Sequence, residues 1–574
     1  MKHLSLLRVA GLLAALLLAL ASPAAAQAPA WQLARAVAAA TAAAAGDYSA
    51  VGATAVDAAG NVYLAGNFTN TVVLGGTTLS SLGGVDVFVA KFNPVSNQFA
   101  WAQRAGGTGM DYATALAVSG TSVYVAGYFA SPTAAFGSAT LTSAGGEDVF
   151  VAKLIDAGST GGFTWAQRAG GTGNDQASAL ALSGTSVYVA GAFAGATAGF
   201  GSATLINSSG LNDVFVAKLS DTGPTGSFAW AQRAGGMGNE QAFALAVSGT
   251  SVYVAGPFAS LTAGFGPTTL ANAGANMGYY DVFVAKLTDA GNTGSFVWAQ
   301  QASGTGSDIA IALAVSGTSV YVAGNFSSPT VGFGTTTLTN AGANRGTNDV
   351  FLAKLTDTGS VGNFAWAQRA GGMGNEEAYA LALSGTSVYV AGAFDSPTAD
   401  FGATTLTNAG TADVFVAKLS DAGPAGNFAW AQQAGGPGND LARVIAVSGT
   451  NVYVAGYFGN PTAAFGTTTL ANPTPNALLG FLASLTDPTL TATTPTAGPR
   501  EPATLFPNPA RRTATLRLPA GTPAAPLTLT DALGRAVRRY PAPAGPETAL
   551  DLGGLPAGLY LLRGAGPARR LVVD

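Results

Sequence analysis

Three short strings, WAQ, VYV and VFV, return in the same order from residue 31 to about residue 486, and this recurrence limits the fold more than any other feature of the chain. A unit repeated at a steady period is one supersecondary module, and its copy number decides the architecture. Trp31, Trp101, Trp165, Trp230, Trp298, Trp366 and Trp430 lie 64 to 70 residues apart and are matched by seven VYxAG cores, which makes seven copies. The third string reads DVFVAK or DVFLAK six times and decays to LGFLAS at residues 479–484. Each copy holds four apolar bursts of β type, for example residues 99–105, 113–119, 122–129 and 148–154. SGT, Asp-Ala-Gly and Asp-Thr-Gly turns join them.

Within residues 122–127, Val123 and Val125 point to one side and Tyr124 and Ala126 to the other, and neither face is charged. A sheet that is apolar on both faces must be covered on both, which is the situation of a propeller blade wedged between two others. The rival for an exported β-rich chain, an outer-membrane barrel, needs strands of about 9–11 residues with one polar face; these bursts are shorter and apolar on both sides. The array opens on a Trp strand and ends on a third strand, so residues 31–37 are expected to pair beside 480–486 and close the ring. The step from Trp to the VYV tyrosine is 23 residues in six copies but 32 from Trp31 to Tyr63, which places a nine-residue insertion, helix or loop, in the first copy.

These strings, together with a recurring GGxGxD, resemble the SBBP-type bacterial β-propeller repeats over residues 31 to about 486. The resemblance implies a fold and brings no catalytic residues with it. The expected fold is all-β: a seven-bladed β-propeller over residues 27–486, then a small immunoglobulin-like β-sandwich.

Hydrophobic content of 48% with 9% charge would suit a membrane protein. Beyond the N-terminus, however, no apolar run approaches the roughly 18 residues of a spanning helix. Residues 1–26 carry Lys2 and Arg8, an apolar run and Ala24-Ala25-Ala26, the pattern of a secretory signal peptide. Its removal would take His3, the one histidine, from a chain that has no cysteine. Thiol nucleophiles, histidine triads and zinc, haem or iron-sulfur sites built on those residues are then excluded. No transmembrane segment is expected after removal of the signal.

Residues 487–503 are rich in Pro and Thr and read as a linker. From residue 500 onward ten Arg meet five acids, whereas residues 27–499 hold 13 bases and 24 acids, so two domains of opposite charge are expected, the second over residues 504–574. That tail resembles the type A C-terminal sorting domain of the type IX secretion system. The resemblance is carried by Pro507, Asn508 and Pro509, by the turn holding Asp531, Gly534 and Arg535, by the hairpin holding Pro556, Gly558 and Tyr560, and by the end Arg570-Leu571-Val572-Val573. It implies passage across the outer membrane of a Gram-negative cell by the type IX machinery, and a place on the cell surface or in the medium.

The GGxGxD-like loops contain Asp111, Asp175, Asp308 and Asp440. Such loops bind calcium when they recur every nine residues, but here they recur about every 65, so a calcium roll is excluded. Isolated calcium loops remain as one reading. The preferred reading makes the loops blade-to-blade crossings, with Gly taking backbone angles other residues avoid. No other cofactor is expected. Lys91, Lys153, Lys218, Lys286, Lys354 and Lys418 end the third burst, and each is expected to be solvated at its strand end, as Lys153 near the turn Asp156 three residues on. The acids outside the repeat pattern are Asp47, Glu147, Glu377, Asp395 and Asp400, and nothing in the sequence pairs them for catalysis. Loop length varies most between the VYV and VFV strings, and the longest loops hold Tyr279, Tyr280 and Arg345, types suited to stacking on sugars or anchoring a protein. The function expected is non-catalytic binding or adhesion to an extracellular glycan or protein by a monomer without a nucleic-acid partner. The alternative is a polysaccharide hydrolase or lyase.

Overall fold

The computed structural model describes residues 28–37, 48–207, 209–274, 278–343, 345–459, 461–472, 477–490, 504–506, 509–517, 526–531, 535–543, 545, 547–564 and 566–574. Residues 1–26, expected as a signal peptide, the Ala-rich residues 38–47 and most of the expected linker lie outside these. The chain divides into two compact units with the boundary between Ala492 and Thr493. Both are built from strands, and no helix occurs among the described residues.

In the second copy of the first unit, the strands Asp111–Ser119, Ser122–Phe129, Asp148–Asp156 and Gly161–Gly171 pair antiparallel in that order. The other copies repeat this order, and many small antiparallel sheets of this kind are consistent with a β-propeller. The alternation read from the sequence has its physical outcome here. Val123 and Val125 join a core cluster shared with the first copy, while Tyr124 and Ala126 join one shared with the third. Each fully buried Val or Phe stabilises the fold by roughly 1.5–3 kcal/mol, so the seams between sheets hold much of the unit's stability.

Trp31–Val37 pairs antiparallel with Leu479–Thr486, setting Ala36 opposite Phe481 and Val37 opposite Gly480. It completes a sheet with Leu441–Ser448 and Asn451–Phe458 from the last copy. Val37, Tyr453, Ala455 and Leu482 then share a core cluster with Val51, Val62, Leu64 and Phe88 of the first copy.

Each copy also forms a short hairpin between its second and third strands, which the four-burst pattern does not anticipate. In the second copy it is Thr133–Phe136 with Ala139–Thr142, and it pairs back onto the fourth strand of the preceding copy through Ala134–Gly107 and Ala135–Gly106. Phe136 anchors it, 4.7 Å from Phe150 and 5.7 Å from Phe163 between ring centres.

The lysines depart from expectation. Lys218 is buried, and its Nζ donates to Asp289 Oδ2 at 2.7 Å, an aspartate of the following copy rather than the one three residues on. Tyr188 Oη (2.6 Å) and Trp230 Nε1 (3.0 Å) donate to the same carboxylate. Burial pushes that carboxyl up, and the Lys218, Tyr188 and Trp230 donors outweigh it, holding Asp289 below the ordinary carboxylate value. The pattern recurs as Lys91–Asp156, Lys153–Asp221, Lys286–Asp357, Lys354–Asp421 and Lys418–Asp487. A charge buried at a seam is held only because its partner is buried with it. At the seam between the last and first copies, Ser484 stands where the others have Lys and Pro94 where they have Asp, so both members of the pair are missing together.

The second unit has two small antiparallel sheets: Thr504–Phe506, Thr513–Arg517 and Glu547–Asp551 in one, and Leu527–Asp531, Ala536–Tyr540, Gly558–Gly564 and Gly566–Val573 in the other. Ala514, Leu516 and Leu550 from the first sheet and Leu527, Leu529, Leu562 and Leu571 from the second share one core.

Candidate functional site: a central cavity

The first strands of successive copies lie against one another, from Ser49–Val56 through Asp111–Ser119 and onward to Leu441–Ser448, which returns to lie against Ser49–Val56. Small residues permit this approach: a Cβ at Gly52 would stand 2.9 Å from the Ala113 carbonyl oxygen. Most of these strands carry a one-residue register shift, between Val51 and Ala53, Ala113 and Ala115, Ala177 and Ala179, Ala310 and Ala312, Ala378 and Ala380, and Ala442 and Val444. A bulge of this kind re-aims the extra side chain.

The re-aimed residues are Gly52, Thr114, Ser178, Ile311, Tyr379 and Arg443, with Phe243 at the same place in the fourth copy. All seven line one cavity of about 510 Å³, together with Tyr48, Asn67, Tyr112, Tyr128 and Tyr457. The flanking positions are close to uniform across the copies, most often Ala before and Ala-Leu-Ala after, yet this position holds seven different amino acids.

The cavity is amphipathic. Tyr112 and Tyr128 face each other at 5.2 Å between ring centres. The Arg443 guanidinium lies over Tyr379 at 4.7 Å and over Tyr457 at 5.7 Å. Burial pushes the Tyr48 and Tyr128 hydroxyls each up to about 12, so both stay neutral O–H donors at physiological pH. Thr114 Oγ1 donates to the Ala177 carbonyl at 2.7 Å, tying one bulge to the next copy.

A second depression of about 390 Å³ adjoins through Tyr379 and is lined by Asn375, Glu377, Asp395, Asn439 and Leu441. It brings together two of the acids that fall outside the repeat pattern. The Tyr379 hydroxyl donates to Glu377, and Asn375 Nδ2 donates to Asp395 at 3.0 Å. Glu147 accepts from Gln176, while Asp400 accepts from Thr405 at 2.6 Å on a hairpin. Asp47 lies outside the described residues.

The GGxGxD loops are crossings between sheets, and their acids hold the loop itself. Asp111 Oδ2 accepts from Gly107 N–H and Ser131 Oγ, both at 2.7 Å. Glu240 and Glu376 accept from Gly236 and Gly372 in the same way, which accounts for Glu in these copies. With N–H and O–H donors on its oxygens, this carboxylate is arranged as an acceptor for the loop, a poor match to the oxygen-only shell of calcium; among the described residues no group of three or more His, Cys, Asp or Glu side chains is placed to hold a metal. Asp175 and Asp440 occupy the same place, accepting from Gly171 (2.6 Å) and Gly436 (2.7 Å), and Asp308 accepts from Ser328 Oγ at 2.8 Å. A side chain at Gly106 would be strained: φ is 132°, and a Cβ would meet Asp86 Oδ1 at 2.4 Å and Asp111 Oδ2 at 2.7 Å.

Of the residues singled out in the long loops, Tyr279 and Arg345 are exposed and Tyr280 is half-buried, and none of the three lines the cavity. They do neighbour the crossings: the Tyr280 carbonyl accepts from Asp308 N–H at 2.7 Å. In the second unit, Asp531 accepts from Arg535 N–H (3.0 Å) and Nε (2.7 Å), and the Tyr560 hydroxyl donates to the Pro556 carbonyl at 2.7 Å. Pro509 is exposed and Gly558 opens a strand, while Pro507, Asn508 and Gly534 lie outside the described residues. No helix among the described residues is long and apolar enough to cross a membrane. No protein-family model matches the chain, and no curated protein matches it either.

Proposed function

We propose that the first unit is a seven-bladed β-propeller closed by the strand Trp31–Val37, and that it is a non-catalytic binding module for an extracellular glycan, with the central cavity as its site. The observation that carries this reading is the coincidence of sequence variety with geometry: the position holding seven different residues in seven copies is the one that lines the cavity. Aromatic faces, phenol donors and a guanidinium suit the mixed C–H and hydroxyl surface of a sugar ring. Export follows the type IX route, with residues 504–574 as an immunoglobulin-like sorting domain, and the cell surface or the medium of a Gram-negative bacterium is the destination. The Asp531–Arg535 and Tyr560–Pro556 hydrogen bonds support that assignment, since each joins residues of a motif behind the resemblance.

The test is a screen of the purified chain on glycan and matrix-protein arrays, with and without calcium, beside a polysaccharide-degradation assay. Glycan binding lost on Tyr379→Ala is expected; binding to matrix proteins alone would replace the ligand class. Glu377 and Asp395 beside the cavity favour a second reading, a polysaccharide hydrolase or lyase, and turnover abolished by Glu377→Gln would establish it. Deleting residues 500–574 is expected to leave the protein in the periplasm, and its arrival in the medium would overturn the sorting assignment.

A further inference from the structure

We infer that the central cavity is selective for an acidic saccharide, with Arg443 receiving the carboxylate of a uronate-type ring. This rests on the glycan-binding reading above and narrows it. Most other described cations of the first unit are matched to carboxylates: the six seam lysines each have an aspartate, and Arg104, Arg168, Arg233 and Arg369 pair with Asp86, Asp148, Asp213 and Asp349. Arg35 and Arg345 form no ion pair among the described residues either, but neither lines the cavity. Arg443 has no carboxylate partner among the described residues, although it lines the cavity and its side chain is held between two tyrosines.

The nearby acids are engaged elsewhere. Glu377 accepts from the Tyr379 hydroxyl and from Asn348 Nδ2 at 3.4 Å, and Glu147 accepts from Gln176. Stacking fixes the plane of a guanidinium while leaving its N–H edge free, the geometry that grips a carboxylate through two parallel hydrogen bonds. Tyr48 and Tyr128 add neutral O–H donors, and the tyrosine faces offer a surface for the ring's C–H side. A neutral sugar would use the aromatic faces and leave the cation unmatched. A small inorganic anion would match the cation and leave the faces unused. A saccharide ring bearing a carboxylate uses both, and a cavity of about 510 Å³ admits one or two such rings.

The experiment titrates the full chain calorimetrically with matched pairs of oligosaccharides: oligogalacturonate against neutral galactan, sialyllactose against lactose, hyaluronan against chitin oligomers, and sulfated against desulfated chondroitin. The tightest ligand is expected to be a carboxylate member that binds at least about tenfold more tightly than its neutral partner, with the preference weakening as salt rises. Arg443→Gln is expected to cut the preference to about onefold with an unchanged melting temperature, and Arg443→Lys to keep part of it, because charge remains while the fork is lost. Equal affinity for acidic and neutral members, or a preference that survives Arg443→Gln, overturns the inference but leaves glycan binding standing. A preference that follows sulfate rather than carboxylate overturns the uronate assignment. Binding to no member, or binding untouched by Tyr379→Ala, overturns the inference and the cavity reading together.

Discussion

At the scale of single residues, the seam aspartates are the sharpest determinants of stability. Asp289 accepts from Lys218, Tyr188 and Trp230 of the preceding copy and from Gly291 N–H of its own turn. Asp289→Ala strands a buried ammonium and is expected to cost about 3–5 kcal/mol in chemical denaturation. Lys218→Met is expected to cost less, because three donors still hold the carboxylate. The crossing-loop acids set the pH response with the opposite sign. Burial lifts Asp308, Glu376 and Asp440 each to about 7, with Asp281, Asp349 and Asp413 alongside adding to it. The folded chain therefore holds these protons more tightly than the unfolded chain, whose carboxyls titrate near pH 4, so the stability they contribute is present below about pH 4 and is lost as pH rises through about 7. The seam carboxylates run the other way: Asp487, held at about 2, contributes stability that is present above about pH 4 and is lost as pH falls through about 2. A melting temperature that falls by several degrees from about pH 5 to about pH 8 is expected in buffered thermal scans, and a flat or rising profile would contradict it.

At the scale of elements, the fourth strand begins on a glycine in five of the seven sheets, where the tryptophan of the preceding sheet lies across it. A Cβ at Gly294 would stand 2.7 Å from the Trp230 ring, and Gly161, Gly226 and Gly362 meet Trp101, Trp165 and Trp298 at 2.6 to 2.7 Å. Gly294→Ala is thus expected to destabilise by about 1–3 kcal/mol through overpacking, and a loss matching that of Gly162→Ala, an exposed strand glycine whose added Cβ would meet nothing within 4 Å, would argue against the contact as its cause. The principal strands were legible because a period-two apolar pattern on both faces has one physical meaning, burial on both faces. The added hairpin was not, since residues 133–142 hold only Phe136 and Leu141 as large apolar anchors among small and polar residues. The lysine pairing is not legible because a linear sequence offers the nearest aspartate, three residues on in five of the six copies, while the true partners lie 65 to 71 residues away across a seam.

At the scale of the whole molecule, closure makes the site. Residues 52 and 443 share a cavity only because the last strands return to the first, and no single copy supplies more than five of the fifteen lining residues. Loop length drew attention to Tyr279, Tyr280 and Arg345, since long loops commonly carry recognition. The stronger signal lay in one column of the repeat, where Gly52, Thr114, Ser178, Phe243, Ile311, Tyr379 and Arg443 differ while their neighbours barely change. Its meaning depends on a bulge that period-two reading cannot show, because the extra residue leaves the alternation on either side intact. The most direct measurement is photo-crosslinking of the full chain to a diazirine-bearing form of the tightest-binding glycan from the proposed titrations, followed by mass-spectrometric mapping. A ligand seated in a closed central cavity labels bulge residues from several copies at once, such as Thr114, Ser178, Tyr379 and Arg443. Labels confined to Tyr279, Tyr280 and Arg345, or to one copy, would contradict both the closure and the site.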